Sequence, residues 1–218
     1  MKYLKMTSIV IIFISIVIIV SCAYFKSIKE GLTNNNYIIL MGDSVLNNSN
    51  YVPEGKSVYD NLKTKLNNVL NVAKDGATIN DLYLQLDEIP IELNNTETYI
   101  FISAGGNNIL NKQTNTDITQ LFTTYLDFLT ALRVKLSNVQ LNIINLYLPA
   151  NPRFQSYKKS IDQWNNLINK NSSNVGEMYN VIDINSLLTN SSDFVYDIEP
   201  SESGSEKIAN IIYLTRKL

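Results

Sequence analysis

Short runs that are almost wholly apolar alternate along the chain with longer amphipathic stretches. The runs are typical of strands buried on both faces, and they lie at residues 37–41, 68–73, 99–103, 141–147 and 179–184. The intervening stretches predict helices at residues 57–66, 78–88, 116–136, 155–171 and 203–218. Strands that alternate with helices indicate an α/β fold with a parallel, doubly wound sheet.

A charge-free apolar stretch at residues 7–25 precedes this pattern, with lysines on both sides of it. It is long enough for one membrane-spanning helix and predicts a single-pass membrane protein with an uncleaved signal anchor. The less favoured alternative is a lipoprotein, because Ser21 and Cys22 resemble the end of a lipobox. We therefore divide the chain into a membrane anchor or signal segment at 1–26, a linker at 27–36 and one domain at 37–218.

Composition narrows the classes of function. The 218 residues carry a formal net charge of −2, which gives no basis for nucleic-acid binding. The chain has no histidine and one cysteine, which argues against a zinc site, and nothing in the sequence implies a metal or an organic cofactor. About 30 residues are asparagine, which we attribute to codon bias and not to a binding role.

Polar clusters follow three of the predicted strands. They are Gly42-Asp43-Ser44 after the first strand, residues 74–78 after the second and residues 105–108 after the third. The carboxyl ends of parallel strands meet at one edge of a sheet, which is where ligands bind in this architecture. Taken singly, each cluster is also explained by a turn, a helix N-cap or a tight glycine bend.

Taken together, the three clusters resemble the first three blocks of the SGNH hydrolases, also called GDSL esterases and lipases, over about residues 37–215. The resemblance implies a three-layer α/β/α sandwich with a five-stranded parallel sheet in flavodoxin-like order. It also implies that Ser44 is the nucleophile and that the oxyanion donors are the backbone N–H groups of Ser44 and Gly76 and the side chain of Asn107. Asn108 stands where the family has an aspartate.

The fourth block departs from the family pattern, which is Asp-x-x-His followed by Pro-Ser. Residues 194–204 read Phe-Val-Tyr-Asp-Ile-Glu-Pro-Ser-Glu-Ser-Gly. Aligning Pro200-Ser201 puts Glu199 in the place of the histidine, and Asp197 lies two residues before it instead of three. The acid of the family is therefore present in a shifted position, whereas the base is replaced.

Three interpretations of Glu199 remain open. It is a substitute base in a Ser44-Glu199-Asp197 arrangement, as in carboxyl-dependent serine peptidases; it belongs to an inactive site that binds a ligand without turnover; or it only begins the last helix. Because an ordinary glutamate is a weak base at neutral pH, the first interpretation requires burial or a nearby charge to raise its pKa. The sequence thus predicts a membrane-tethered hydrolase of small-molecule, glycan or lipid esters, with an inactive binding or structural module as the alternative.

Overall fold

The computed structural model describes residues 36–111, 117–174 and 179–216. The predicted anchor at 7–25 lies outside these residues. Within the described ranges, no helix is long and apolar enough to cross a membrane.

Five parallel strands form the central sheet. They are β1 (Tyr37–Gly42), β2 (Val69–Asn71), β3 (Thr98–Ser103), β4 (Gln140–Ile144) and β5 (Asn180–Ile182). Their spatial order is β2-β1-β3-β4-β5, with every neighbouring pair parallel. This is the flavodoxin-like order, so the prediction of a five-stranded parallel sheet is confirmed.

Six α-helices are described around this sheet. They are α1 (Val58–Lys63), α2 (Leu82–Asp87), α3 (Gly106–Asn111), α4 (Ile118–Lys135), α5 (Lys158–Asn174) and α6 (Glu202–Thr215). Helix α3 was not predicted, because the sequence at Gly105-Gly106 indicated only a bend. Short 3₁₀ turns at Ile79–Asp81 and Pro152–Tyr157 occupy the starts of the stretches predicted to be α2 and α5.

Helices cover both faces of the sheet because strand side chains alternate in direction. On β1, Ile39 and Met41 enter one apolar cluster and Ile38 and Leu40 enter the other. The first cluster is completed by Phe128 of α4 and Trp164 of α5, and the second by Leu62 of α1 and Ile208 of α6. The result is the predicted three-layer sandwich.

Strand β4 ends three residues earlier than predicted, although the sequence stays apolar as far as Tyr147. Beyond Ile144, side-chain amides take over the role of a neighbouring strand. Asn165 accepts a hydrogen bond from the N–H of Leu146 at 2.8 Å and donates to its carbonyl oxygen at 2.7 Å. The N–H of Leu148 donates to Asn185 at 3.0 Å. The backbone is therefore satisfied without a ladder.

A short antiparallel hairpin follows β5 and was not predicted. Its strands are β6 (Phe194–Val195) and β7 (Glu199–Pro200). Tyr196 and Asp197 form its turn, both with positive φ (50° and 69°), and the N–H of Ile198 donates to the carbonyl oxygen of Val195 at 3.3 Å. This hairpin carries the fourth sequence block to the edge of the sheet where β1 and β3 end.

Candidate active site

The nucleophile loop begins at Gly42, the last residue of β1. Its φ is +126°, and a Cβ at this position would overlap the carbonyl oxygen of Ser103 on β3, so only glycine fits. The Gly42 peptide is held by Gln85 of α2, whose side-chain oxygen accepts from Gly42 N at 2.7 Å and whose nitrogen donates to Gly42 O at 2.9 Å. A helix side chain therefore anchors the start of the loop.

Ser44 lies in the turn that follows and is buried. The turn is closed by the N–H groups of Leu46 and Asn47, which donate to the carbonyl oxygen of Asp43 at 3.2 and 3.1 Å. The N–H of Ser44 donates to no other group among the described residues. It is thus available to a substrate, as an oxyanion donor must be.

The second block follows β2 and is exposed. Gly76 has a φ of +73°, and no atom lies within 4 Å of the place where a Cβ would sit, so backbone conformation and not space requires glycine here. Like that of Ser44, its N–H has no partner in the part of the chain that the structure describes. Beside it, the Asp75 carboxylate accepts a 2.7 Å hydrogen bond from the hydroxyl of Tyr51.

The third block connects the second block to the sheet. The side-chain nitrogen of Asn107 donates to the carbonyl oxygen of Ala77 at 3.0 Å, which uses one of its two hydrogens. The side-chain oxygen of Asn108 accepts from the N–H of Ile79 at 3.0 Å. An aspartate at 108 could accept the same bond, so the replacement of the family's acid by asparagine preserves this contact.

The hairpin of β6 and β7 positions the fourth block. The Tyr147 hydroxyl donates to the carbonyl oxygen of Ile198 at 2.7 Å, and the side-chain nitrogen of Asn48 donates to that of Pro200 at 3.0 Å. Ser201 then caps α6 by accepting from the N–H of Gly204. Glu199 is therefore fixed on both sides by side chains from other elements.

Asp197 does not lie beside Glu199 in the way the predicted arrangement requires. It is exposed at the tip of the hairpin, where its carboxylate pairs with Arg153 at 3.4 Å. The groups that act on the Glu199 carboxyl are Ser44 and Asp75. The structure thus brings Ser44 and Glu199 together and leaves Asp197 facing solvent, because the positive φ values of the turn point the chain outward at that residue.

Glu199 is a half-buried carboxyl whose pKa is raised above its ordinary value. Burial is the main cause, and the negative charge of Asp75 adds to it. The Ser44 hydroxyl opposes the rise, because as a hydrogen-bond donor it favours the ionised carboxylate. One carboxyl oxygen, Oε2, is buried with no hydrogen-bond partner in the described ranges.

A second carboxyl, that of Asp43, directly precedes Ser44 in the chain and is 3% exposed. Burial raises its pKa to about 7, and the charge of Glu199 contributes to this rise. Hydrogen bonds from the Ser103 hydroxyl (2.9 Å) and the Val45 N–H (3.2 Å) to its Oδ1 act in the opposite direction.

Ser44, Asn107 and Glu199 line one cavity of about 60 Å³, together with Asp43. Its wall is mostly apolar and is formed by Ile109, Leu110, Leu146, Tyr147, Pro149, Phe154, Tyr157, Ile161 and Ile198, besides Val45 and Gly106. Gly76 is not part of this wall. The hydrogen bond from Asn107 to Ala77 connects the loop of Gly76 to the cavity. Of the five predicted site residues, three therefore share a cavity, one adjoins it and Asp197 lies outside it.

Sequence reasoning missed three residues that shape this site. The sequence presents Asp43 only as part of the Gly42-Asp43-Ser44 motif and does not indicate that its carboxyl is buried. Gln85 and Asn48 carried no signal, because their partners are 43 and 152 residues away. Among the described residues, no group of three metal-ligating side chains converges on one point.

A parallel α/β/α sandwich with a serine after its first strand, supported by glycine and asparagine loops, is typical of the SGNH hydrolases. The family model of the GDSL-like Lipase/Acylhydrolase matches residues 38–212, and the chain belongs to this family. The resemblance found in the sequence blocks is therefore confirmed. The comparison with curated proteins returned no match.

Solved structures with the same fold include three of similar closeness. A member of the lipolytic protein G-D-S-L family from Veillonella parvula has 18% identity and a TM-score of 0.64, covering 82% of this chain and 96% of its own. A GDSL-like lipase from Bacteroides thetaiotaomicron has 14% identity and a TM-score of 0.64, covering 84% and 88%. The acetyl xylan esterase AlAXEase has 14% identity and a TM-score of 0.63, covering 82% and 98%. At these identities the likeness concerns the fold.

Proposed function

We propose that this chain is a membrane-tethered ester hydrolase that works through an acyl intermediate on Ser44, with Glu199 as the base. The observation that carries the proposal is the shared cavity of these two residues, in which the Ser44 hydroxyl acts on the Glu199 carboxyl as a hydrogen-bond donor. A serine nucleophile needs a neighbouring group that takes its proton, and Glu199 is the group in that place.

The environment of Glu199 supports its role as a base. A carboxylate with an ordinary pKa of about 4.3 accepts a serine proton poorly at neutral pH. Burial and the charge of Asp75 both raise the pKa of Glu199, which makes its ionised form a stronger base. The unpartnered Oε2 has no competing donor among the described residues. Glu199 therefore departs from an ordinary glutamate in the direction that catalysis needs.

Three donors are available for the oxyanion of the tetrahedral intermediate. They are the N–H groups of Ser44 and Gly76, neither of which has a partner in the described part of the chain, and the second hydrogen of the Asn107 amide. Losing one such donor typically lowers the rate by about 100-fold to 1,000-fold. The retention of all three favours turnover over an inactive site.

The size and lining of the cavity favour a short acyl group. A volume of about 60 Å³ is several times the space that a single water needs, and it is well below that of a pocket for a large ligand. Apolar side chains such as Leu110, Phe154 and Ile161 form most of its wall. Acetyl and butyryl esters are therefore the first substrates to test.

The test uses the full-length chain purified in detergent, with p-nitrophenyl acetate and butyrate from pH 4 to pH 9. We expect Ser44→Ala and Glu199→Gln each to reduce kcat/KM by at least about 1,000-fold, because each removes one partner of the proton transfer. Glu202→Gln is the matched control: this glutamate lies three residues away, is exposed and pairs with Lys56. Its activity should equal that of the wild type.

Two outcomes would overturn the proposal. If the wild type and Ser44→Ala were equally silent at every pH, the chain would be a binding module with a hydrolase fold. If Ser44 were required and Glu199→Gln kept full activity, another group would be the base. The membrane tether is tested separately, by asking whether residues 1–26 are needed for the protein to sediment with membranes.

A further inference from the structure

Two acidic side chains, those of Asp43 and Glu199, line the cavity that contains Ser44, and the proposed mechanism uses only one of them. Asp43 is 3% exposed, and its Oδ1 accepts hydrogen bonds from the Ser103 hydroxyl and the Val45 N–H. Its other oxygen, Oδ2, lies close to Gly106. A methyl group added to Gly106 would lie 3.8 Å from Oδ2 and 3.6 Å from Leu146, and all three residues line the cavity. Asp43 thus presents this oxygen to the cavity that contains Ser44.

Glu199, which lies on strand β7, presents its carboxyl to the same cavity. The hairpin that carries it is held by the part-buried hydrogen bond from the Tyr147 hydroxyl to the carbonyl oxygen of Ile198, so it cannot turn away without breaking this bond. Its Oε2 is buried without a partner in the described ranges. Two carboxyls therefore face one largely apolar space.

The described groups whose charges are coupled to this pair are acidic or phenolic. Glu199 acts on Asp43, and Asp75 acts on Glu199. The phenols of Tyr147 and Tyr125 experience the charge of Asp43, and both are buried. Tyr51 also experiences the charge of Glu199. Within the described chain, no lysine or arginine is among the causes that shift the pKa of either carboxyl.

Two carboxylates that share a desolvated space without a cation do not both ionise readily, and their protons leave in two separate steps that belong to the pair. We propose that Asp43 and Glu199 hold one proton between them in the active form, with Asp43 neutral and Glu199 ionised. Asp43 is then a positioning residue that sets the charge state of the base. This inference rests on the proposed function.

The reaction balances with this charge distribution. Ser44 Oγ forms a bond to the ester carbonyl carbon as its proton moves to Glu199, and the negative charge develops on the carbonyl oxygen. Collapse breaks the bond to the alcohol oxygen, which takes the proton back from Glu199. Water then attacks the acyl-serine, again giving a proton to Glu199, and Ser44 Oγ leaves with that proton. Asp43 stays neutral throughout, so it adds no negative charge beside the oxyanion.

The pair predicts a bell-shaped dependence of kcat/KM on pH. At low pH both carboxyls are protonated and Glu199 cannot act as a base. Loss of the first proton gives the active form. Loss of the second, from Asp43, places an extra negative charge beside the site and reduces activity. The alkaline limb of the profile therefore reports Asp43.

Two substitutions move this limb in different ways. Asp43→Asn is neutral at every pH, and its side-chain oxygen can still accept from Ser103 and Val45. We expect it to abolish the alkaline limb, where wild-type kcat/KM falls by about tenfold per pH unit, and to keep the acid limb. Ser103→Ala removes a hydrogen bond that lowers the pKa of Asp43, so its alkaline limb should move to higher pH. Asp87→Asn, at an exposed aspartate that pairs with Lys135, should move neither limb.

The outcomes separate this inference from the proposed function. An alkaline limb that survives in Asp43→Asn and does not move in Ser103→Ala would overturn the shared proton and leave the hydrolase intact. If neither the wild type nor any variant hydrolysed an ester, ¹³C NMR titration of the carboxyl carbons of the full chain would still test whether Asp43 and Glu199 share one proton. We expect one signal that titrates near pH 7 and is lost in Asp43→Asn. Titration of both carboxyls below pH 5 would overturn the proposal.

Discussion

Asp43 loses the water around its carboxyl when the chain folds, and the hydrogen bonds it gains in return include those from Ser103 and Val45. Both bonds go to one oxygen, and a 3% exposed side chain has little further solvation. Desolvation therefore outweighs hydrogen bonding, and the pKa rises to about 7. The residue before the nucleophile is consequently a source of pH-dependent stability as well as a part of the site.

The sign of this pH dependence follows from proton linkage. The folded state binds the Asp43 proton more tightly than the unfolded state, so its contribution to stability is fully present below pH 4 and is lost as the pH rises to about 7. Each unit of pKa difference is worth about 1.4 kcal/mol, so the loss is on the order of 4 kcal/mol. Asp43→Asn does not titrate, and its Tm should exceed that of the wild type by an amount that grows from pH 4 to pH 8.

Thermal unfolding followed by circular dichroism at these pH values measures that difference. Asp87→Asn, at an exposed site, should track the wild type at every pH. A constant offset between Asp43→Asn and the wild type from pH 4 to pH 8 would show that the Asp43 carboxyl ionises as freely in the folded chain as in the unfolded one.

At the scale of elements, the hairpin of β6 and β7 determines where the fourth block lies. Its turn uses positive φ at Tyr196 and Asp197, a conformation for which Asn-Gly is the favoured pair. The ring of Tyr196 packs edge-on against the ring of Tyr51, with ring centroids 6.1 Å apart. The turn therefore contains backbone strain that a better turn residue can relieve.

Replacing Asp197 by glycine should raise the free energy of unfolding by about 0.5–1 kcal/mol, because glycine adopts positive φ at lower cost. The lost ion pair with Arg153 is solvent-exposed and offsets little of this. Since Asp197 does not contact Glu199, esterase activity should stay within about twofold of the wild type. Asp197→Asn, which removes the charge and tolerates the same φ, is the control.

Chemical denaturation and kcat/KM measured on the same preparations test both parts of this prediction. A loss of activity as large as that of Glu199→Gln, in both the glycine and the asparagine variants, would restore Asp197 to the role of the acid that orients the base. A fall in stability in the glycine variant alone would mean that the turn is not strained.

At the scale of the whole molecule, buried amides connect distant parts of the chain. Asn48 donates to the carbonyl oxygen of Pro200 and to the hydroxyl of Ser205 and accepts from the N–H of Val58. It therefore joins the nucleophile loop, helix α1 and the fourth block. The abundance of asparagine was attributed to codon bias, yet at positions 48, 145 and 165 the side chain satisfies backbone groups at the edge of the sheet that carries the site.

Asn48→Ala leaves three groups without their partner, and we expect a cost of about 3 kcal/mol. This corresponds to a fall in Tm of roughly 6–12 °C for a domain of this size. Because one of the lost bonds fixes Pro200, kcat should fall as well. Asn166→Ala is the control, since Asn166 is exposed on α5. Unchanged kcat in a folded Asn48→Ala would show that Tyr147 alone is sufficient to hold the Glu199 hairpin.

The sequence was sufficient for the sheet and the general position of the site, because strand runs such as Tyr37–Gly42 are continuously apolar and the polar blocks follow them directly. It was not sufficient for the hairpin, since Tyr-Asp is not a typical pair at positive φ and gives no turn signal. Nor did it predict the state of Asp43, which depends on burial against Ser103 and Glu199, residues 60 and 156 positions away.

The Gln85 amide forms the two hydrogen bonds with Gly42 that a neighbouring strand would otherwise form. Its oxygen accepts from the Gly42 N–H, and its nitrogen donates to the Gly42 carbonyl oxygen. Among the natural side chains of that length, only glutamine offers the two together, since glutamate has no donor when ionised. Positions 42 and 85 are therefore coupled in evolution, because a substitution at Gln85 in helix α2 also removes the hydrogen bonds that hold the start of the nucleophile loop. Any redesign of this site must therefore keep that amide, even though it is not part of the cavity wall.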